Sequence, residues 1–255
     1  MNFLVSANTD VGTVKTTNQD SLDIKVLNTV QGKMVFAILC DGMGGLANGE
    51  VASAALIHAF DRWVKEKLPA LCRQEIQDNV IREQWEKIIE NMNQSIKAYG
   101  GRQGVKMGTT VAAILITERR YYILNVGDSR IYEIKESINQ LTTDQTVVER
   151  EVARGNMTRE EAKVDTRRNV LLQCVGASDA VYPELVFGET KKDSIYLLCS
   201  DGFRHELSSE EIFGAFSPQV MTDSNIMFQK ITEAIEENKR RGERDNITAG
   251  LIRTF

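Results

Sequence analysis

Histidine is scarce in this chain, with only His58 and His205 among 255 residues. That leaves little for a zinc site built on imidazole or for a histidine-activated nucleophile, and no GxSxG pattern offers a serine elbow. His58 falls on the flank of an apolar helical face and reads as a packing or surface residue, whereas His205 follows Asp201 by four positions. Proline is also rare, at Pro69, Pro183 and Pro218, and no Pro/Gly/Ser-rich linker or low-complexity stretch divides the sequence. Residues 1–255 therefore read as a single domain, long enough to bury roughly 70 to 75% of its extended surface. The four cysteines (Cys40, Cys72, Cys174, Cys199) lack CxxC spacing. Cys40 and Cys199 lie inside apolar runs, where a thiol packs as a small hydrophobe. No apolar run approaches the ~20 residues that cross a bilayer. The start, Met1 to Asn8, lacks the basic head and long apolar stretch of a secretory signal. The net charge of −5 is spread over intermixed acids and bases, so no basic stripe recommends nucleic acid or an anionic membrane. A cytoplasmic protein with neither of those partners is expected.

What is present is a repeated punctuation. An apolar run stops abruptly at Asp-Gly in Phe36-Ala-Ile-Leu-Cys-Asp41-Gly-Met-Gly-Gly45, and again in Ile195-Tyr-Leu-Leu-Cys-Ser-Asp201-Gly202. A third run, Tyr121 to Val126, ends at Gly127-Asp128, and Asp245 stands just before the run Ile247 to Ile252. A carboxylate at the lip of a core strand is desolvated on one side and needs a counter-charge. Four such aspartates suggest one shared cation site. Carboxylates are hard oxygen ligands suited to Mg2+ or Mn2+. Two such ions can lower the pKa of a shared water and clamp an oxyanion, which fits phosphoester hydrolysis. Gly42 adds a residue whose carbonyl can come close to a cation because no Cβ intervenes. The competing reading is that each Asp-Gly is an ordinary turn.

Period-2 and apolar-run patterns predict strands at 22–27, 33–40, 110–116, 121–126, 130–134, 170–175, 185–187, 195–200 and 247–252. Thr117-Glu-Arg-Arg120 reads as a hairpin. Two amphipathic helices follow the first Asp-Gly, one over Ala52 to Val64 and one over Ile81 to Ile96 that ends at Gly100-Gly101. Ser208-Ser-Glu-Glu211 is a capping box for a short helix, and a longer helix around Met227 to Ile235 runs into Lys239-Arg-Arg-Gly242. Helices clustered between groups of strands favour an α+β layered fold. Residues 140–169 are polar and charged, with a second capping box at Thr158-Arg-Glu-Glu161, and read as a helical excursion.

In order, the motifs are Thr9-Asp-Val-Gly-Thr-Val-Lys-Thr-Thr-Asn-Gln-Asp20-Ser21, Asp41-Gly-Met-Gly-Gly45, Gly108-Thr-Thr110, Asn125-Val-Gly-Asp-Ser-Arg130, Leu198-Cys-Ser-Asp-Gly202 and Arg244-Asp-Asn-Ile-Thr248. The set resembles the metal-dependent protein serine/threonine phosphatases of type 2C in their compact bacterial form, almost end to end. The resemblance implies a four-layer α/β/β/α sandwich of two antiparallel sheets flanked by helices, with residues 140–169 as a flap near the active site. It also implies a binuclear Mg2+ or Mn2+ centre, with a third, weaker ion in some members. By the same resemblance Asp41 bridges two ions, Gly42 gives its carbonyl to one, and Asp201 and Asp245 hold the other. Asp20 acts through bound water, and Asp128 with Asp201 takes the third ion. Asp128 or a metal-bound water would protonate the leaving alkoxide.

The chain departs from the pattern in places. Lys15 stands where the family usually has a phosphate-binding Arg, Gln145 where bacterial relatives often have His, and Asp165-Thr166 where they often have His-Pro. Met43 replaces a His found in many eukaryotic members. The implied partners are phosphoproteins, targets of a serine/threonine kinase, and the implied state is a monomer. Two other readings stay open. One is a catalytically weak relative that binds phosphoproteins, although every metal position here is filled. The other is a small-phosphoester hydrolase using the same centre.

Overall fold

The computed structural model describes residues 1–43 and 48–255, so Gly44 and Gly45 of the second motif lie outside the described residues. The chain runs β1 (Phe3–Asp10), β2 (Asp20–Thr29), β3 (Gly32–Asp41), α1 (Gly49–Glu66), α2 (Leu68–Leu71), α3 (Asp78–Gln103). It continues β4 (Val111–Ile116), β5 (Arg120–Val126), β6 (Arg130–Ile134), β7 (Ile138–Gln140), α4 (Val147–Ala153), α5 (Arg159–Val164). The last third is β8 (Glu184–Glu189), β9 (Ile195–Cys199), α6 (Asp201–Arg204), α7 (Ser209–Phe216), α8 (Ser224–Arg241) and β10 (Ile247–Thr254).

The strands form two five-stranded sheets, ordered β1-β10-β9-β6-β7 and β2-β3-β4-β5-β8, with every pairing antiparallel. Alternation along β3 explains the layering. Val35, Ala37 and Leu39, with Ile114 and Ile123 of the same sheet, face the other sheet, where they meet Ile131, Tyr196 and Leu198. Met34, Phe36, Ile38 and Cys40 face α1 and α3. Both faces are covered, so β3 reads as an unbroken apolar run rather than as an alternating one. Phe36, Phe60, Trp63 and Trp85 make an aromatic cluster on that side, with the two indole rings 5.5 Å apart and nearly perpendicular. On the opposite side, α6, α7 and α8 close over Leu197, Cys199, Ala249 and Leu251. This is the four-layer sandwich that the resemblance implies.

Several local expectations hold for identifiable reasons. Ser208 and Thr158 both cap their helices reciprocally with Glu211 and Glu161, and Asp223 caps α8. The β4–β5 hairpin is closed by the Thr117 amide donating to the Arg120 carbonyl at 2.8 Å. Three expectations need correction. The α3 helix does not end at Gly100-Gly101; it runs to Gln103, and Gly104 takes the left-handed cap. Residues 170–175 are not a strand. The Val147 amide donates to the Val170 carbonyl and the Leu172 amide to the Gln145 carbonyl, whereas Val175 pairs with Thr109, so the segment serves two different partners. Finally, β1 and β7 fall outside the strands that the sequence predicts. The first is an edge strand of half-buried residues and the second has three residues, so neither carries a strong apolar run.

Candidate metal centre

Antiparallel register brings the aspartates to one end of the sandwich. Asp20, the first residue of β2, stands opposite Asp41, the last residue of β3. In the other sheet Cys199 is opposite Ala249, which puts Ser200-Asp201 at the end of β9 beside Asp245-Asn246 at the start of β10. The turn between β5 and β6 carries Asp128, with Arg130 opposite Cys199. Each sheet therefore contributes carboxylates to the same rim.

The end of β3 is locked by the short central motif. The Asp41 amide donates to Thr110 Oγ1 at 3.0 Å, and the Asp41 carbonyl accepts from the Thr110 amide at 2.8 Å and Thr109 Oγ1 at 2.9 Å. At Gly42 a Cβ would lie 2.5 Å from the Gly49 carbonyl oxygen and 2.6 Å from that of Gln19, so only glycine fits between these backbones. At Gly202 a Cβ would lie 2.3 Å from the Asn246 carbonyl oxygen, which explains why α6 begins on Asp-Gly. Asn246 in turn ties down the β1–β2 loop. Its Oδ1 accepts the Gln19 amide at 2.9 Å and its Nδ2 donates to the Val11 and Thr17 carbonyls at 2.9 and 3.2 Å. That loop carries Lys15, whose Nζ is 2.9 Å from Asp245 Oδ1.

Electrostatically the rim is overloaded with negative charge. Both carboxylate oxygens of Asp20 and Oδ1 of Asp201 are buried without a hydrogen-bond partner. Burial pushes Asp20 up to about 7; the Thr248 and Ser200 hydroxyls pull it the other way, and the charges of Asp201 and Asp245 push it further up. Asp41 is held well above the usual carboxylate range, first by burial and then by Asp20, Asp201, Asp128 and Asp245. Asp128 is pushed up to about 7 by burial and by Asp201, against the opposing charge of Arg204. Unpaired buried carboxylates that raise one another are costly unless a cation is shared among them.

The donor set is all oxygen, which suits Mg2+ or Mn2+. Among the described residues no three His, Cys, Asp or Glu side chains stand together as a ready-made ligand group. A hexacoordinate ion that keeps several waters and takes one or two carboxylates does not require one. The residues therefore fit such ions.

All seven residues expected from the sequence (Lys15, Asp20, Asp41, Gly42, Asp128, Asp201, Asp245) lie at this rim or on the loops that enter it. His58 is on the exposed face of α1, away from it. His205 is at the rim, with Nε2 3.6 Å from Asp201 Oδ2 and Nδ1 3.1 Å from Glu243 Oε2. Three further participants, Glu243, Asn246 and Arg204, are not marked as site residues by the sequence pattern. Their signals were faint, because Glu243 and Arg204 are single charges beside motifs and Asn246 sits inside one without an assigned role.

A family model described as Protein phosphatase 2C matches residues 12–240. The chain belongs to the protein phosphatase 2C family. It is 32% identical over 251 residues to a putative protein phosphatase 2C-type of Streptococcus pyogenes serotype M6, covering 97% of this chain and 96% of that one. Its fold is similar to that of the serine/threonine phosphatase Stp1 from Staphylococcus aureus, with a TM-score of 0.84, 26% identity and coverage of 100% of this chain and 96% of the other. It is also similar to the catalytic domain of the serine/threonine protein phosphatase PstP in complex with two manganese ions, with a TM-score of 0.76, 28% identity and 99% of each chain covered. The enzyme class and the Mg2+ or Mn2+ dependence implied by the motifs are those of this protein phosphatase 2C chain. No helix of the described residues is long and apolar enough to cross a membrane.

Proposed function

We propose that this phosphatase hydrolyses phosphoserine and phosphothreonine in proteins at the rim built by Asp41, Gly42, Asp201 and Asp245. Asp41 would serve both ions, the Gly42 carbonyl would hold one of them, Asp201 and Asp245 would hold the other, and Asp20 would contribute through water. The observation that carries this reading is the convergence of carboxylates from both sheets on one rim, with both Asp20 oxygens and Asp201 Oδ1 buried without a hydrogen-bond partner.

When bound, the ions supply Lewis acidity and a nucleophile at neutral pH. The remaining work falls to the chain. Thr109 and Thr110 fix the backbone of Asp41, so its carboxylate is presented without rearrangement on binding. Lys15 shares the rim with Asp245 and offers an ammonium to the substrate phosphate, a point charge rather than a bidentate fork. The whole chain acts as one catalytic domain, and residues 140–169, which hold α4 and α5, form the flap that governs substrate access. Gln145 roots that flap at the rim, its amide donating to the Gly127 carbonyl at 2.9 Å and its Oε1 accepting the Gly127 amide at 3.0 Å. The substrates are targets of a serine/threonine kinase, met in the cytoplasm by a monomer.

The test is Mn2+-dependent turnover of a phosphoserine peptide, compared with a nucleotide at equal concentration. Asp41→Asn is expected to reduce peptide turnover to background; wild-type turnover by that variant would end the bridging role. Strong preference for the nucleotide would move the substrate class away from proteins.

A further inference from the structure

Asp128 already has a cation. Arg204, in the last turn of α6, sends Nη2 to the Asp128 carbonyl oxygen at 3.0 Å and to Asp128 Oδ2 at 3.5 Å, and the same nitrogen is 3.4 Å from Asp144 Oδ2. The three side chains are sealed from solvent, with exposures of 12% for Arg204, 7% for Asp128 and 9% for Asp144. Asp144 is in turn gripped by Arg130 through a fork, Nε to Oδ1 at 2.8 Å and Nη2 to Oδ2 at 2.7 Å. Two carboxylates and two guanidinium groups thus form a chain of alternating acid and base, Asp128–Arg204–Asp144–Arg130, buried except at its half-buried Arg130 end. Asp201 also faces this group from the start of α6, and His205 from its end.

We infer that Arg204 takes the place of a third divalent ion at Asp128, so that the loaded enzyme holds two ions and Asp128 ligates neither. The inference rests on the two-ion reading given above. A divalent ion on Asp128 would stand next to a fixed guanidinium that has no solvent to retreat into. Like charges in a water-poor pocket repel strongly, and displacing Arg204 would leave a buried charge without its partners, the costliest way to break such a pair. The Arg204 contact to the Asp128 carbonyl also pins the β5–β6 turn, so Arg204 is a positioning residue for the rim as well as a counter-charge.

The test counts ions rather than activity. Calorimetric titration with Mn2+, paired with anomalous scattering from Mn2+-soaked crystals, is expected to give two ions per wild-type chain and none at Asp128. Asp128→Asn is expected to leave the count at two, since the aspartate is not a ligand. Arg204→Gln, which keeps the shape and removes the charge, is expected to admit a third ion at Asp128. Three ions on the wild type, a count lowered by Asp128→Asn, or a folded Arg204→Gln protein that still binds only two would each overturn the inference. If Arg204→Gln does not fold, the wild-type count and the Asp128→Asn comparison still decide it. Fewer than two ions on the wild type would instead defeat the two-ion reading beneath it.

Discussion

Glu243 Oε1 accepts the backbone amide of Asp245 at 2.8 Å. The same oxygen accepts the Arg244 amide at 2.6 Å, and the other carboxylate oxygen meets His205 Nδ1 at 3.1 Å. His205 then faces Asp201 at 3.6 Å. One buried carboxylate–imidazole pair therefore links the loop carrying Asp245 to the helix that begins with Asp201. Side chains that orient ligands from behind commonly change metal affinity 10- to 100-fold when removed. Glu243→Ala should weaken Mn2+ binding by about tenfold or more, read by calorimetry. Glu243→Gln, which keeps an acceptor for the amides, should recover part of the loss. Equal affinities for the wild type and Glu243→Ala would show that the Asp245 loop holds its shape without this contact.

The metal-free protein should lose stability as pH rises. Asp20 is pushed up to about 7 from its ordinary 3.8, chiefly by burial, and Asp41 moves in the same direction. A carboxyl with a raised folded-state pKa binds its proton more tightly when folded. Its contribution is present below 3.8 and fades as pH climbs through about 7. For His205 burial pulls the pKa down, but Glu243 and Asp201 outweigh it and leave a net rise, so its contribution has the same sign. After chelation, Tm should fall by on the order of 5 °C between about pH 5.5 and about pH 8. Saturating Mn2+ should flatten that slope, because a cation favours the charged carboxylates. Asp20→Asn should flatten it in part without metal. A metal-free Tm that rises over this range would contradict the charge balance at the rim.

Lys15 is expected to act on substrate binding. Its ammonium sits at the rim beside Asp245 and is partly open to solvent, so it can reach an incoming phosphate. Lys15→Ala should raise KM for a phosphopeptide by roughly tenfold with a smaller fall in kcat. Lys15→Arg should hold KM at or below the wild-type value, since a guanidinium can engage two phosphate oxygens. A loss confined to kcat would mean that Lys15 serves Asp245 rather than the substrate.

The parts of this molecule legible in its sequence are those whose cause is local. The apolar runs of β3, β5, β9 and β10 announce themselves because both their faces are covered, and the capping boxes at Ser208 and Thr158 are four-residue signals. Asp41, Asp201 and Asp245 are legible because each stands at the end or the start of an apolar run and several such carboxylates recur along the chain, which separate turns do not require. Arg204 and Glu243 are not, because their meaning lies in partners far along the chain: Arg204 meets Asp128 and Asp144, and Glu243 meets His205. Segment 170–175 misled for the same reason. Its valines bind two separate partners rather than one neighbouring strand, which no window of six residues can express.

Gly202 isolates backbone approach from ligand chemistry, because it donates no side chain to the rim. A Cβ there would come within 2.3 Å of the Asn246 carbonyl oxygen and 3.5 Å of Asp245 Cβ. Neither neighbour can yield easily. Asn246 is buried and holds the β1–β2 loop through three hydrogen bonds, and Asp245 is tied to Glu243. Gly202→Ala should therefore push α6 away from β10, costing about 1–3 kcal/mol of stability as an overpacked site. The same displacement moves Asp201 relative to Asp245, so Mn2+ affinity should fall in parallel. Gly214, on α7, has nothing within 4 Å of its would-be Cβ. Gly214→Ala should be neutral or stabilising by up to about 1 kcal/mol, as expected for glycine replaced in a helix. Thermal melts of the two variants, with and without Mn2+, check both directions, and equal melting temperatures would show that the α6–β10 contact can relax.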